Sequence, residues 1–505
     1  MRRLLLVLLC IGLAGCATPS PVPDASEPFA RVAGSPPLLR AFLYEMPKGA
    51  DLHTHLSGAA YAEGFIKAGA ERGLCFAPTS GQVAWPPCPK GTRPLADAVN
   101  DAGLTGQLVS AWSMRAFVPV SGYDGHDHFF ASFAKFGGAA PPAGMAREVV
   151  NRAGAQRMRH IEPMITFQGG PVGALADKVQ KKTPWSGDMA AFEAALLAGG
   201  LADLAKRGAR DAAGLTAEMR KVQRCGTPAA EVGCAVNVRW LQQVTRINPP
   251  WRVFAQTLFA ALLQRESPDV GGLNFVAPED HPVALRDYTL HMRMIEHVRR
   301  RHPDTGIALH AGELRLGLVP PEDLTFHIRQ AVEIAGAHRI GHGVAVMHET
   351  DAVGLLREMA RRRVAVEINL TSNDQILEVD GPDHPFPLYR AAGVPTVIST
   401  DDEGVSRIDR THELQRAVTT YGLGWADLVG LERASLEYAF LPGESLWADP
   451  VRWRMVGACA GASPAADPPP ACAAHLSQHQ KSRLQWSLER DLAAFSQRAA
   501  ALTLP

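Results

Sequence analysis

The chain has 505 residues, with 51 Lys and Arg against 51 Asp and Glu and a formal net charge of +0. No long basic block stands out, so a nucleic-acid groove is not indicated, and beyond the extreme N-terminus no run is long and apolar enough to span a bilayer. A chain of this length buries one large core with insertions or divides into two domains.

Arg2 and Arg3 precede a short apolar run over residues 4–13, then Ala14, Gly15 and Cys16. A basic start, a brief apolar stretch and small residues at a cleavage point make residues 1–15 a secretory signal peptide. The Leu13-Ala14-Gly15-Cys16 tetrad resembles a bacterial lipobox. That resemblance implies lipidation at Cys16, a membrane anchor through the lipid, and a periplasmic or cell-surface location. Residues 16–38, rich in Pro, Ser and Ala at their start, read as a flexible tether, leaving residues 39–505 as the folded unit. Apart from Cys10 and Cys16, the cysteines form three local pairs: Cys75 with Cys88, Cys225 with Cys234, and Cys459 with Cys472. In an exported chain, pairs without C-x-x-C spacing suggest disulfides closing surface loops.

A helix or turn over residues 40–47 leads into the stretch Asp51-Leu52-His53-Thr54-His55-Leu56-Ser57-Gly58. In a strand, histidines two apart face the same way, so His53 and His55 offer a pair of metal ligands if partners appear downstream. Residues 60–130 read as an insertion, loop-like over 73–94, where Pro78, Pro86, Pro87 and Pro89 cluster. A strand is predicted over 159–167. A second insertion follows over 169–236, with its helical part near 189–204 read as a lid or packing element. A strand over 270–277 and an amphipathic helix over 282–300 come next. Strands at 306–310, 339–343, 364–370 and 394–400 then alternate with helices at 321–335, 351–362 and 387–392. This alternation predicts an α/β fold with a parallel sheet, a (β/α)8 TIM-type barrel with insertions after the early strands, with a doubly wound open sheet as the alternative. Leu484, Leu488, Leu492 and Phe495 form a helical stripe expected on the barrel exterior.

His310 with Glu313, His342, and the Asp401-Asp402 pair all fall at C-terminal ends of predicted strands, the face on which barrel enzymes assemble their sites. The motifs HTHLSG, HAGE, GHG and STDD, in this order, resemble those of the adenosine deaminase family of metal-dependent amidohydrolases. PKGADLHTHL and HPFPLYRAAGVPTVISTDD extend the likeness. The cysteine-bearing insertion and export signal are similar to the secreted adenosine deaminase-related growth factor type, here as a bacterial lipoprotein. The resemblance implies one zinc ion per chain, held by His53, His55, His310 and Asp401. It implies Glu313 as proton donor to a purine ring, His342 as the base that orients and deprotonates the attacking water, and Asp402 as a catalytic residue that also binds the ring.

Two positions depart from the family pattern. Ala277 stands where a glycine would bring its backbone amide close to the purine, and Ser57 replaces an acidic residue that recognises the sugar in cytosolic members. The implied function is hydrolytic deamination of adenosine or 2'-deoxyadenosine, with a small-molecule purine nucleoside as partner and room for a homodimer. The alternatives are deamination of another aminopurine or modified nucleoside, or a nucleoside-binding lipoprotein without activity.

Overall fold

The computed structural model describes residues 24–502. The expected signal peptide and lipobox, with Cys16, lie outside the described residues. Among the described residues, eight barrel strands run parallel in chain order: β1 (Lys48–His55), β2 (Met158–Ile165), β3 (Trp240–Thr245), β4 (Val270–Val276), β5 (Ala308–Ala311), β6 (Arg339–His342), β7 (Ala365–Ile368) and β8 (Thr396–Ile398), with the two-residue strand Asn237–Val238 added beside β2. Strands β1 to β4 pair in sequence in one sheet, and β5 to β8 in another. Parallel bridges Leu273↔Ile307 and Thr54↔Asp401 join the two sheets at both edges. The ring is therefore closed, a (β/α)8 barrel, and the open doubly wound sheet is excluded.

Strand β3 was absent from the sequence reading. Its segment Trp-Leu-Gln-Gln-Val-Thr carries two glutamines near its centre, which break the apolar run expected of a barrel strand. The helix expected over 321–335 is broken. It consists of a 3-10 turn at Pro321–Leu324, one α turn at His327–Gln330 and a π-helical turn at Ala331–Ala335.

Part of the expected tether is folded. Residues Ser26–Ala33 form a helix whose Phe29 packs against Phe42 at 5.9 Å and Trp425 at 6.4 Å. Burial of such apolar side chains outweighs the local Pro and Ser content. The C-terminal helix Gln480–Arg498 buries Leu488, Leu492 and Phe495, and Phe495 meets Phe42 edge-on at 5.0 Å. It lies outside the barrel, as the stripe predicted.

The first insertion is more ordered than its prolines suggest. Cys75–Phe76, Val83–Ala84 and Arg93–Pro94 form a small antiparallel sheet, and helix Gly125–Phe136 lies over the C-terminal mouth of the barrel. The second insertion contains helices Gly169–Lys182, Met189–Ala198 and Leu201–Val222. These pack on the barrel wall through Phe192, which stands 6.3 Å from Phe254 of helix Pro250–Glu266, so this insertion is a packing element and not a lid. All three local cysteine pairs form disulfides, closing loops of 13, 9 and 13 residues.

Candidate metal centre and pocket

His53 and His55 project from the end of β1, His310 from β5 and His342 from β6, while Asp401 and Asp402 follow β8. The barrel brings all six to one mouth. Nε2 of His310 lies 3.1 Å from Nε2 of His53 and 3.2 Å from Nε2 of His55. Oδ1 of Asp401 lies 3.5 Å from His53 Nε2 and 3.3 Å from His55 Nε2. Donors bound to zinc at about 2.0–2.2 Å stand about 3.3–3.6 Å apart at tetrahedral corners, so these spacings fit one such ion. Asp401 Oδ1 is buried without a hydrogen-bond partner, an arrangement that costs free energy unless a cation faces it. Three imidazoles and one carboxylate are the donor set that zinc accepts.

Each donor is held from behind. Nδ1 of His53 faces Glu367 Oε2 at 2.6 Å, and Nδ1 of His310 faces Asn274 Oδ1 at 2.8 Å. Ser372 Oγ donates to Asp401 Oδ2 at 2.7 Å. The Gln243 side-chain amide lies 3.1 Å from His55 Nδ1. A metal-binding His55 carries its proton on Nδ1, which requires Gln243 to turn its oxygen there. Glu367 is itself fixed by Arg339, whose Nε donates to Oε1 at 2.5 Å, with all three groups of this relay fully buried. Gly341 leaves the room His53 needs, since a Cβ there would stand 2.5 Å from the His53 ring.

Around this centre the carboxylates differ in charge. Burial and then the negative charge of Asp401 push both Glu313 and Asp402 well above the ordinary carboxylate range. Asp401 is held well below it, against the opposing effect of burial, by the His53 and His55 rings that face it. Burial pushes His342 down to about 3, so its imidazole is neutral, and Asn373 Nδ2 faces its Nδ1 at 2.8 Å. Glu313 Oε1 is 3.5 Å from His342 Nδ1. The loop carrying Glu313 is clamped by Glu279, which accepts from the backbone N–H of Gly312 at 3.0 Å and of Glu313 at 2.9 Å.

The donors open into a cavity of about 410 Å³ that Ser57 and Ala277 also line. Phe129, Phe130 and Phe133 of helix Gly125–Phe136 form its apolar wall. Three site residues other than glycine sit at positive φ: Ala277 at 87°, His342 at 67° and Asp401 at 55°. Such backbone strain collects at functional sites because the surrounding structure holds it there.

The C-terminal half of this site aligns with known proteins. Residues 205–446 match the model for adenosine deaminase. This stretch is similar to the adenosine deaminase family. The matched stretch holds His310, Glu313, His342, Asp401 and Asp402, while His53 and His55 precede it. An adenosine deaminase of Shewanella denitrificans is 35% identical over 145 residues, 28% of this chain and 40% of that protein. One of Mycobacteroides abscessus is 31% identical over 163 residues, 30% of this chain and 42% of that protein. The chain thus spans about two fifths of the length of these curated relatives. The apo N6-methyl-AMP deaminase of Arabidopsis thaliana shares the fold at a TM-score of 0.50 and 17% identity, over 82% of this chain and 96% of that one.

The structure brings the sequence-predicted residues His53, His55, His310, Glu313, His342, Asp401 and Asp402 together at one mouth of the barrel. The sequence reading missed Glu367, Gln243, Ser372, Asn373 and the three phenylalanines. A polar residue inside an apolar strand, as Glu367 is in Ala-Val-Glu-Ile, was the available signal.

Proposed function

We propose that the chain is a zinc-dependent hydrolase that converts adenosine or 2'-deoxyadenosine to inosine or 2'-deoxyinosine with release of ammonia. The observation that carries this reading is the meeting of His53, His55, His310 and Asp401 beside a buried carboxyl group at Glu313 and a neutral imidazole at His342. Zinc in this donor set would supply Lewis-acid activation of a water molecule at neutral pH. His342 orients that water and takes up its proton. Glu313, kept protonated by burial, delivers a proton to ring nitrogen 1 as oxygen adds to carbon 6; the proton taken up by His342 then passes to the amino group, which leaves as ammonia while the added hydroxyl returns its proton to Glu313. Asp402 hydrogen-bonds the ring. Ser57 and Ala277 line the part of the cavity where the rest of the substrate would sit.

No Lys or Arg lines the cavity, which favours an uncharged nucleoside over a nucleotide. Ala277 favours a second reading within the same chemistry, another aminopurine or a modified nucleoside, because its methyl group stands where the purine would approach the backbone. One zinc ion per chain, a lipid anchor on Cys16 and export complete the proposal, and three disulfides support an oxidising compartment. The deciding experiment is ammonia release from a panel of aminopurine nucleosides and bases. Adenosine or 2'-deoxyadenosine is expected to lead, and ammonia from none of the panel would leave a binding lipoprotein as the reading.

A further inference from the structure

At the end of the barrel opposite the metal centre, beneath the starts of β6 and β7, lies a second cavity of about 420 Å³. Arg299, Arg362, Arg363 and Lys481 line it, with Glu437 as the single carboxylate among its lining residues. That carboxylate is engaged elsewhere, accepting from Ser445 Oγ at 2.5 Å and from Gln485 Nε2 at 2.9 Å. The cations meet neutral oxygens or outlying partners. Lys481 Nζ donates to the backbone oxygen of Glu437 at 2.8 Å, and Arg363 donates to the Tyr438 hydroxyl at 2.9 Å. Arg362 pairs with Glu358, on its own helix and outside the cavity.

Arg299 is the most telling of them. Its Nε is buried without a hydrogen-bond partner. Its guanidinium lies over Gly336, where a Cβ would stand 2.7 Å from Nε and 2.9 Å from Cζ. Gly336 adopts a φ of 70°, so glycine there serves both the turn and the close approach. Four cationic side chains in one concavity repel one another, and a buried unpaired N–H adds its own desolvation cost. An anion in the cavity would relieve the repulsion.

We propose that this basal cavity binds an oxyanion of the phosphate class, as inorganic phosphate or as a small phosphate monoester. Guanidinium groups present paired donors that match tetrahedral oxyanions, and Lys481 supplies a compact charge beside them. The site is separate from the metal centre. Between them Arg339, paired with Glu162 at 2.8 Å and Glu367 at 2.5 Å, fills the barrel, and the Phe440 ring 3.9 Å from its guanidinium carbon forms part of the cavity wall.

The test is a titration of the full-length protein with inorganic phosphate at ionic strength held constant with chloride, followed by melting temperature and by calorimetry. A saturable rise in melting temperature is expected. Arg299→Met should weaken phosphate binding about tenfold or more, the effect of losing one charge-assisted contact. It should melt no lower than the parent without phosphate, because it removes an unpartnered donor. Arg363→Met gives a second reading should the first variant fold poorly. No saturable response, or a response unchanged in both variants, would overturn the site, the second outcome moving the anion to the metal centre or elsewhere.

Discussion

Glu367 accepts a hydrogen bond from Nδ1 of His53 at 2.6 Å, and the pair is fully buried. This contact commits the His53 proton to Nδ1 and leaves Nε2 with its lone pair toward the other donors. Glu367→Gln keeps the shape but removes the charge that raises the basicity of the ligand. Zinc affinity should fall by about 10- to 100-fold, measured by competition with a chromophoric chelator. Unchanged affinity would mean that Glu367 only fills space.

Glu313→Gln should retain zinc and lose about 10²- to 10⁴-fold in turnover, since an amide cannot deliver the proton. The pH dependence follows from the same carboxyl group. Burial and Asp401 raise its pKa, so the active protonated form persists well above the ordinary carboxylate range and is lost as pH rises through that raised value. His342, pushed down to about 3, stays neutral over the same range. The kcat/KM profile should therefore fall on its alkaline side, at a pH above the ordinary carboxylate range. A rise across that side would remove Glu313 from the role of acid.

Chelation should destabilise the fold as well as stop turnover. Zinc at a hundred times its Kd contributes about 2.7 kcal/mol to the native state. The melting temperature should drop on chelator treatment and recover with added zinc. Metal analysis of gently purified protein should give about one zinc per chain, and a finding of none would remove the centre from the mechanism.

Ala277→Gly should stabilise the protein by about 0.5–1 kcal/mol. A φ of 87° is costly for alanine and free for glycine, and this relief exceeds the entropy glycine adds to the unfolded chain. The same change opens the backbone at the wall of the cavity, so under the proposed function relative kcat/KM across the nucleoside panel should shift. A stability loss together with an unaltered panel would show that the methyl group packs without touching substrate.

Cys16→Ser should move the protein from the membrane to the soluble fraction on cell fractionation. Retention on the membrane would sink the lipobox reading.

The barrel was legible in the sequence wherever strands were apolar and helices amphipathic. It was illegible at β3, because Gln242 and Gln243 interrupt the run. Gln243 reaches His55, so the feature that hid the strand belongs to the site. The metal donors were legible as motifs because each sits at a strand end beside a turn. The groups behind them were not, since Glu367 and Asn274 are single polar residues in apolar strands whose partners come from other strands. The tether misread arose where Pro and Ser content spoke for an extended chain while Phe29 and Val32 had a hydrophobic surface to cover.

The bridge between Thr54 and Asp401 joins the first strand of the barrel to a residue just beyond the last. Two metal donors therefore stand on one side of this join and the carboxylate donor on the other. A bound ion would act as a clasp over the seam, fastening segments nearly 350 residues apart in sequence. A nascent chain that has not yet reached Asp401 possesses neither the closed ring nor the fourth donor. Tight capture of an ion by all four donors would then mark the completion of synthesis and ring closure.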